Sequence, residues 1–80
     1  MIRITTLKEK NATVVAIDGQ LAESDLGEIQ RIRKSVKGVV FLNLRGLEEC
    51  AAGGVKALRA WLDAGAVLQG ATPFLEMILK

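Results

Sequence analysis

Ile2, Ile4 and Leu7 alternate with polar Arg3 and Thr5, the two-residue period of a strand with one wet face. Lys8 to Asn11 breaks the alternation and predicts a turn. Thr13 to Ile17 is apolar and β-branched, a second strand antiparallel to the first, with Asp18-Gly19 as its closing turn signal and Leu21 as a core anchor beyond it. The period then changes. Leu26, Ile29, Arg33 and Val36 recur at helical spacing with Ile32 beside them, while Glu28, Arg31 and Lys34 point outward. Ser24 or Asp25 can cap this helix, Glu28 stands three after Asp25 as in a capping box, and Gly38 can stop it.

Val39-Val40-Phe41-Leu42-Asn43-Leu44 is a nearly continuous apolar run, the mark of a strand covered on both faces. Gly53 to Ala64 supplies a covering helix, with Val55, Leu58 and Leu62 inward, Lys56, Arg59 and Asp63 outward, and Gly65 as its stop. Trp61, three after Leu58, reads equally as core or as a partly exposed anchor. Ala66 to Leu68 is a short strand. Thr72 as N-cap and Pro73 at the first helical position open a last helix whose Phe74, Met77 and Ile78 cover the sheet edge. The order β-β-α-β-α-β-α predicts an α/β fold, a mixed sheet of about four strands flanked by helices, as one domain over residues 1–80.

Composition narrows the function classes. Eleven Lys and Arg against nine Asp and Glu leave a net charge of +2, and the cluster Arg31, Arg33, Lys34 and Lys37 reads as a solvated helix face. Phe41, Phe74 and Trp61 are too few aromatic residues for a stacking platform, so no direct nucleic-acid contact is expected. No apolar run approaches the ~20 residues of a membrane span. The start of the chain carries no secretory pattern, and the single Cys50 fits a reducing compartment, which together predict a cytoplasmic protein.

Candidate chemistry is sparse. With no His and one Cys, neither a His base nor a thiolate zinc cluster can be built, so no metal and no cofactor are expected. Gly46 to Lys56 fails the phosphate-cradling pattern because Val55 follows Gly54. Glu48 and Glu49 read as a solvated pair and Cys50 as a packing residue, although a place near a helix start could lower a thiol pKa. The segment Cys50-Ala51-Ala52-Gly53-Gly54, leading into the second long helix, offers no hydroxyl or carboxylate to bind or carry an anion. Small residues there predict close helix-to-sheet packing.

From Thr13 to Leu79 the chain resembles a STAS domain, the fold of bacterial anti-sigma factor antagonists and of the cytoplasmic ends of sulfate transporters. The likeness is strongest in Val39 to Leu47, in Gly54-Val55-Lys56-Ala57-Leu58, and in Leu68-Gln69-Gly70-Ala71-Thr72-Pro73-Phe74. The family pattern is an apolar strand, then Asp-Leu-Ser-Gly-Val, then Asp-Ser-Ala/Ser-Gly opening a helix, and later Gly-x-Ser/Thr-Pro. Setting Gly54 on the motif glycine places Ala51 at the motif Asp and Ala52 at the serine that antagonists carry phosphorylated; Asn43 stands for the usual Asp. The resemblance implies signalling and regulation of transcription through a protein partner, either an anti-sigma factor of the kinase class or a transporter subunit. It also implies that the usual phosphate switch is missing.

The sequence reading is therefore a non-catalytic interaction module, monomeric or weakly dimeric. Its expected contact surface is Glu48, Glu49, Cys50, Ala51, Ala52, Gly53 and Gly54 together with Lys56 and Arg59 on the following helix. Alternatives are a soluble STAS subunit of a membrane transporter assembly, a small-molecule or nucleotide sensor, and a scaffold-like dimer.

Overall fold

The computed structural model describes residues 2–36 and 38–79. Strands β1 (Ile2–Lys8) and β2 (Ala12–Leu21) form an antiparallel hairpin; a 3-10 turn (Glu23–Asp25) leads into helix α1 (Leu26–Ser35). Then follow β3 (Val39–Leu44), β4 (Leu47–Cys50), α2 (Ala52–Asp63), β5 (Val67–Ala71) and α3 (Pro73–Leu79). The architecture is α/β with a mixed sheet, as the pattern predicts. The strand order is β1-β2-β3-β5, and β3 runs parallel to both β2 and β5.

A fifth strand is the main addition. Leu47–Cys50, to which the sequence pattern assigns no element, pairs in parallel with the far end of β2, setting Gln20 opposite Glu49 and Leu21 opposite Cys50. Asp18-Gly19 is correspondingly not a turn, because β2 runs through it to Leu21. Gly19, with a positive φ of 99°, stands where the pairing with β4 shifts register: Leu47 opposes Gly19 and Glu49 opposes Gln20, which makes Glu48 the extra residue of a bulge in β4.

The core lies on one side of the sheet. Thr13, Val15 and Ile17 of β2 and Val40, Leu42 and Leu44 of β3 are buried at alternate positions, and Ile29, Leu58, Trp61, Leu75 and Leu79 from the helices close over the apolar members of that set. Helix α1 packs beside α2 and α2 beside α3, so the helices form a single layer. This corrects the expectation for Val39 to Leu44. The opposite face, carrying Val39, Phe41 and Asn43, is exposed or only half-buried.

The helix ends show how local chemistry sets these limits. Helix α2 ends with Gly65 N–H donating to Leu62 and Ala66 N–H to the Trp61 carbonyl, the paired bonds of a Schellman stop. At α3, Thr72 Oγ1 accepts from Leu75 N–H at 3.3 Å, as expected for that N-cap. Two registers differ from expectation. In α2 the buried stripe is Gly54, Leu58 and Trp61, with Leu62 only half-buried, which puts Trp61 in the core. In α3, Leu75 and Leu79 face inward while Phe74 and Met77 stay 61% and 73% exposed. Helix α1 also starts differently: the Asp25 carboxylate accepts from Ala22 N–H at 2.9 Å, so it caps the 3-10 turn and makes no side-chain bond into α1.

Candidate functional site

The expected contact segment, residues 48–54, lies at the end of the sheet where β3 gives way to β4 and α2 begins. Asn43 organises the approach: its Oδ1 accepts from Arg45 N–H at 3.2 Å and holds the β3–β4 turn. Glu48 and Glu49 are both exposed; Leu47 opposes Gly19 and Glu49 opposes Gln20, so Glu48 is the extra residue of a bulge in β4 and the pair falls outside regular strand alternation.

The join between β2 and α2 is tight. Ala51 N–H donates to the Leu21 carbonyl at 2.8 Å, and Val55 N–H to the Ala51 carbonyl at 3.0 Å. Gly54 is buried against the end of β2, where an added Cβ would lie 2.7 Å from Leu21 Cδ2 and 2.9 Å from Cys50 Sγ. The small residues are therefore a packing requirement at Gly54. Ala52, by contrast, is exposed, with its side chain at the lip of the helix.

One functional neighbour escapes the sequence reading. The N-cap of α2 is Ala51, which has no capping atom, and the first turn carries no acidic residue. Glu23, thirty positions earlier, supplies what is missing: its Oε1 accepts from Gly53 N–H at 2.9 Å. A carboxylate of this chain thus occupies the positive end of the helix. The available signal was Glu23 itself, an acid beside the Ser24 and Asp25 that read as caps for α1. Its reach to α2 depends on the fold.

The same carboxylate bears on Cys50. Burial first, and the nearby Glu23 charge second, push the Cys50 thiol above its ordinary value, and Sγ makes a long 3.6 Å contact with the Ala51 carbonyl. That environment opposes thiolate formation, the reverse of the activation that a helix start can give. Lys56 and Arg59 project from the exposed side of α2, one turn and two turns beyond Ala52. Trp61 is buried and does not join them.

Among the described residues no group of three or more His, Cys, Asp or Glu is placed to hold a metal ion, and no helix is long and apolar enough to cross a membrane. The depression beside the segment, lined by Gln20, Leu21, Ala22, Glu49, Cys50 and Ala51, is open to solvent. The structure thus brings together Cys50, Ala51, Gly53, Gly54 and Glu23 as one joint, with Glu48, Glu49, Ala52, Lys56 and Arg59 on its outer surface. Compared with protein-family models and with curated proteins, the chain matches none.

Proposed function

We propose that this chain is a non-catalytic, STAS-like interaction module of the anti-sigma factor antagonist kind. Its partner is a protein that docks on the surface formed by Glu48, Glu49, Ala52, Lys56 and Arg59. The observation carrying this reading is the start of α2. Ala52 stands exposed where the resembled family places its phosphorylated serine, and Glu23 already fills the helix end that a phosphate would address. A surface so arranged has no group to modify and binds its partner constitutively.

Lys56 and Arg59 expose two cations, and Glu48 and Glu49 two anions, which favours recognition by charge pattern as well as shape. The test is affinity capture with the tagged protein, followed by titration of the captured partner. Lys56→Glu with Arg59→Glu should weaken binding by at least tenfold while the thermal midpoint holds. Undiminished binding by the double variant would overturn the reading.

A further inference from the structure

The face of the sheet opposite the helices carries an apolar row. The strand registers set Leu7 beside Val14, Val14 beside Phe41, and Phe41 beside Val67, so one side chain from each of four neighbouring strands lines up across the sheet. Val39 extends the row by one step along β3. Leu7, Val39 and Val67 are 59%, 47% and 44% exposed, and they are three of the five large apolar residues left open on the described surface. No element of the chain described here covers them.

We propose that this face is where two copies of the chain associate, sheet against sheet, about a two-fold axis running along the strands between β2 and β3. Such an axis lays β1 of one copy over β5 of the other and β2 over β3. The row is self-complementary under that operation: Leu7 meets Val67, and Phe41 meets the smaller Val14. The charged groups of the face gather at the other end of the strands, away from the row. Asp18 of β2 stands beside Arg3 of β1, and Arg45 directly follows β3, its side chain folded over Gly70 opposite Asn43, where an added Cβ would meet Nε at 2.6 Å.

The dimensions favour a second sheet over a single helix. Four strands span about 19 Å, whereas a helix aligned with them covers about 10–12 Å and leaves half the row open. With β1 about 23 Å long, two such faces bury on the order of 900 Å2 in projection, near the ~1,000 Å2 at which a specific interface begins. The dimer is accordingly a weak one. It uses a different surface from the docking site at the start of α2, so either proposal can fail without the other.

Sedimentation analysis of the intact protein tests it. The apparent mass should rise from 8.6 kDa towards twice that value between about 10 μM and 1 mM. Leu7→Lys with Val67→Lys, both at exposed positions, should hold the protein at monomer mass throughout with its circular dichroism unchanged. A wild type that stays monomeric at 1 mM overturns the proposal. So does association that survives the lysine pair, including association removed instead by Phe74→Lys with Met77→Lys on α3.

Discussion

Gly54 and Gly27 occupy equivalent places, the third and second positions of α2 and α1, and the structure assigns opposite signs to their replacement by alanine. In the first turn of a helix Gly→Ala should gain about 0.5–1 kcal/mol from reduced backbone freedom in the unfolded chain. At Gly27 an added Cβ meets nothing within 4 Å, so the gain should appear in full. At Gly54 the new methyl would sit 2.7 Å and 3.0 Å from Cδ2 and Cγ of Leu21 and 2.9 Å from Cys50 Sγ. Leu21 is 2% exposed, so the clash falls on a buried core side chain. Overpacking of that kind costs about 1–3 kcal/mol, which exceeds the propensity gain and leaves a net loss of up to about 2 kcal/mol. For a domain of this size each kcal/mol moves the thermal midpoint by about 4–8 °C. Thermal and urea unfolding of the two variants should therefore separate them in opposite directions from the wild type. A Gly54→Ala protein as stable as Gly27→Ala would mean that α2 does not approach the end of β2 as closely as described, and that residues 51–54 owe their small size to something other than packing.

Three further outcomes follow from the same geometry. Leu58, fully buried beneath the sheet, should cost about 2–5 kcal/mol on truncation to alanine, whereas Lys56→Ala on the outer face should stay within about 0.5 kcal/mol; equal effects in denaturant titrations would place α2 in the wrong register. Glu23→Ala, which removes the cap on α2, should lower stability by about 0.5–1 kcal/mol, with Glu23→Gln losing less because its carbonyl still accepts from Gly53; an unchanged midpoint for Glu23→Ala would refute the cap. Because burial and then Glu23 raise the Cys50 pKa, the folded state disfavours the thiolate. Stability from this group is complete below the ordinary value of 9.0 and declines as pH climbs through the raised value. Alkylation by iodoacetamide should be slower than for a free thiol and faster in Glu23→Gln; a Cys50 that reacts like free cysteine would contradict the burial.

The order of elements was legible because each change of period in the chain corresponds to a real change of backbone. The Thr72-Pro73 helix start was legible because capping is local chemistry. What the sequence could not convey was which neighbour each face would find. Val39 to Leu44 carries apolar residues on both sides, and a strand covered twice and a strand covered once with an apolar open face read the same. Helix α3 has apolar residues at five of its seven positions, so two turns offered no contrast from which to read Leu75 and Leu79 as inward and Phe74 and Met77 as outward. Asp18-Gly19 presents the same ambiguity, since a positive φ serves a bulge as well as a turn. Of the candidate site, the small residues and their packing role were readable at Gly54. The cap from Glu23 was not, because a contact across thirty positions exists only once β2 and α2 are brought together.

That cap changes what Ala52→Asp should do. A carboxylate at an unoccupied helix start is favourable by about 0.3–1 kcal/mol. Here the Glu23 carboxylate already binds Gly53 N–H, so a second anion at the adjacent position gains the helix dipole and loses about as much to repulsion from Glu23. The two terms nearly cancel, and folding stability should change by less than about 0.5 kcal/mol. Binding is different, because Ala52 is exposed at the proposed contact and an uncompensated charge pressed against a partner can cost several kcal/mol. Combining Ala52→Asp with Glu23→Gln removes the repulsion and should restore the helix-start gain, raising the midpoint above that of Glu23→Gln alone, while affinity for the partner stays low. Calorimetric titration beside thermal unfolding separates the two effects. Full affinity in Ala52→Asp, with the folded state intact, would remove the start of α2 from the interface and leave Lys56 and Arg59 without their proposed role.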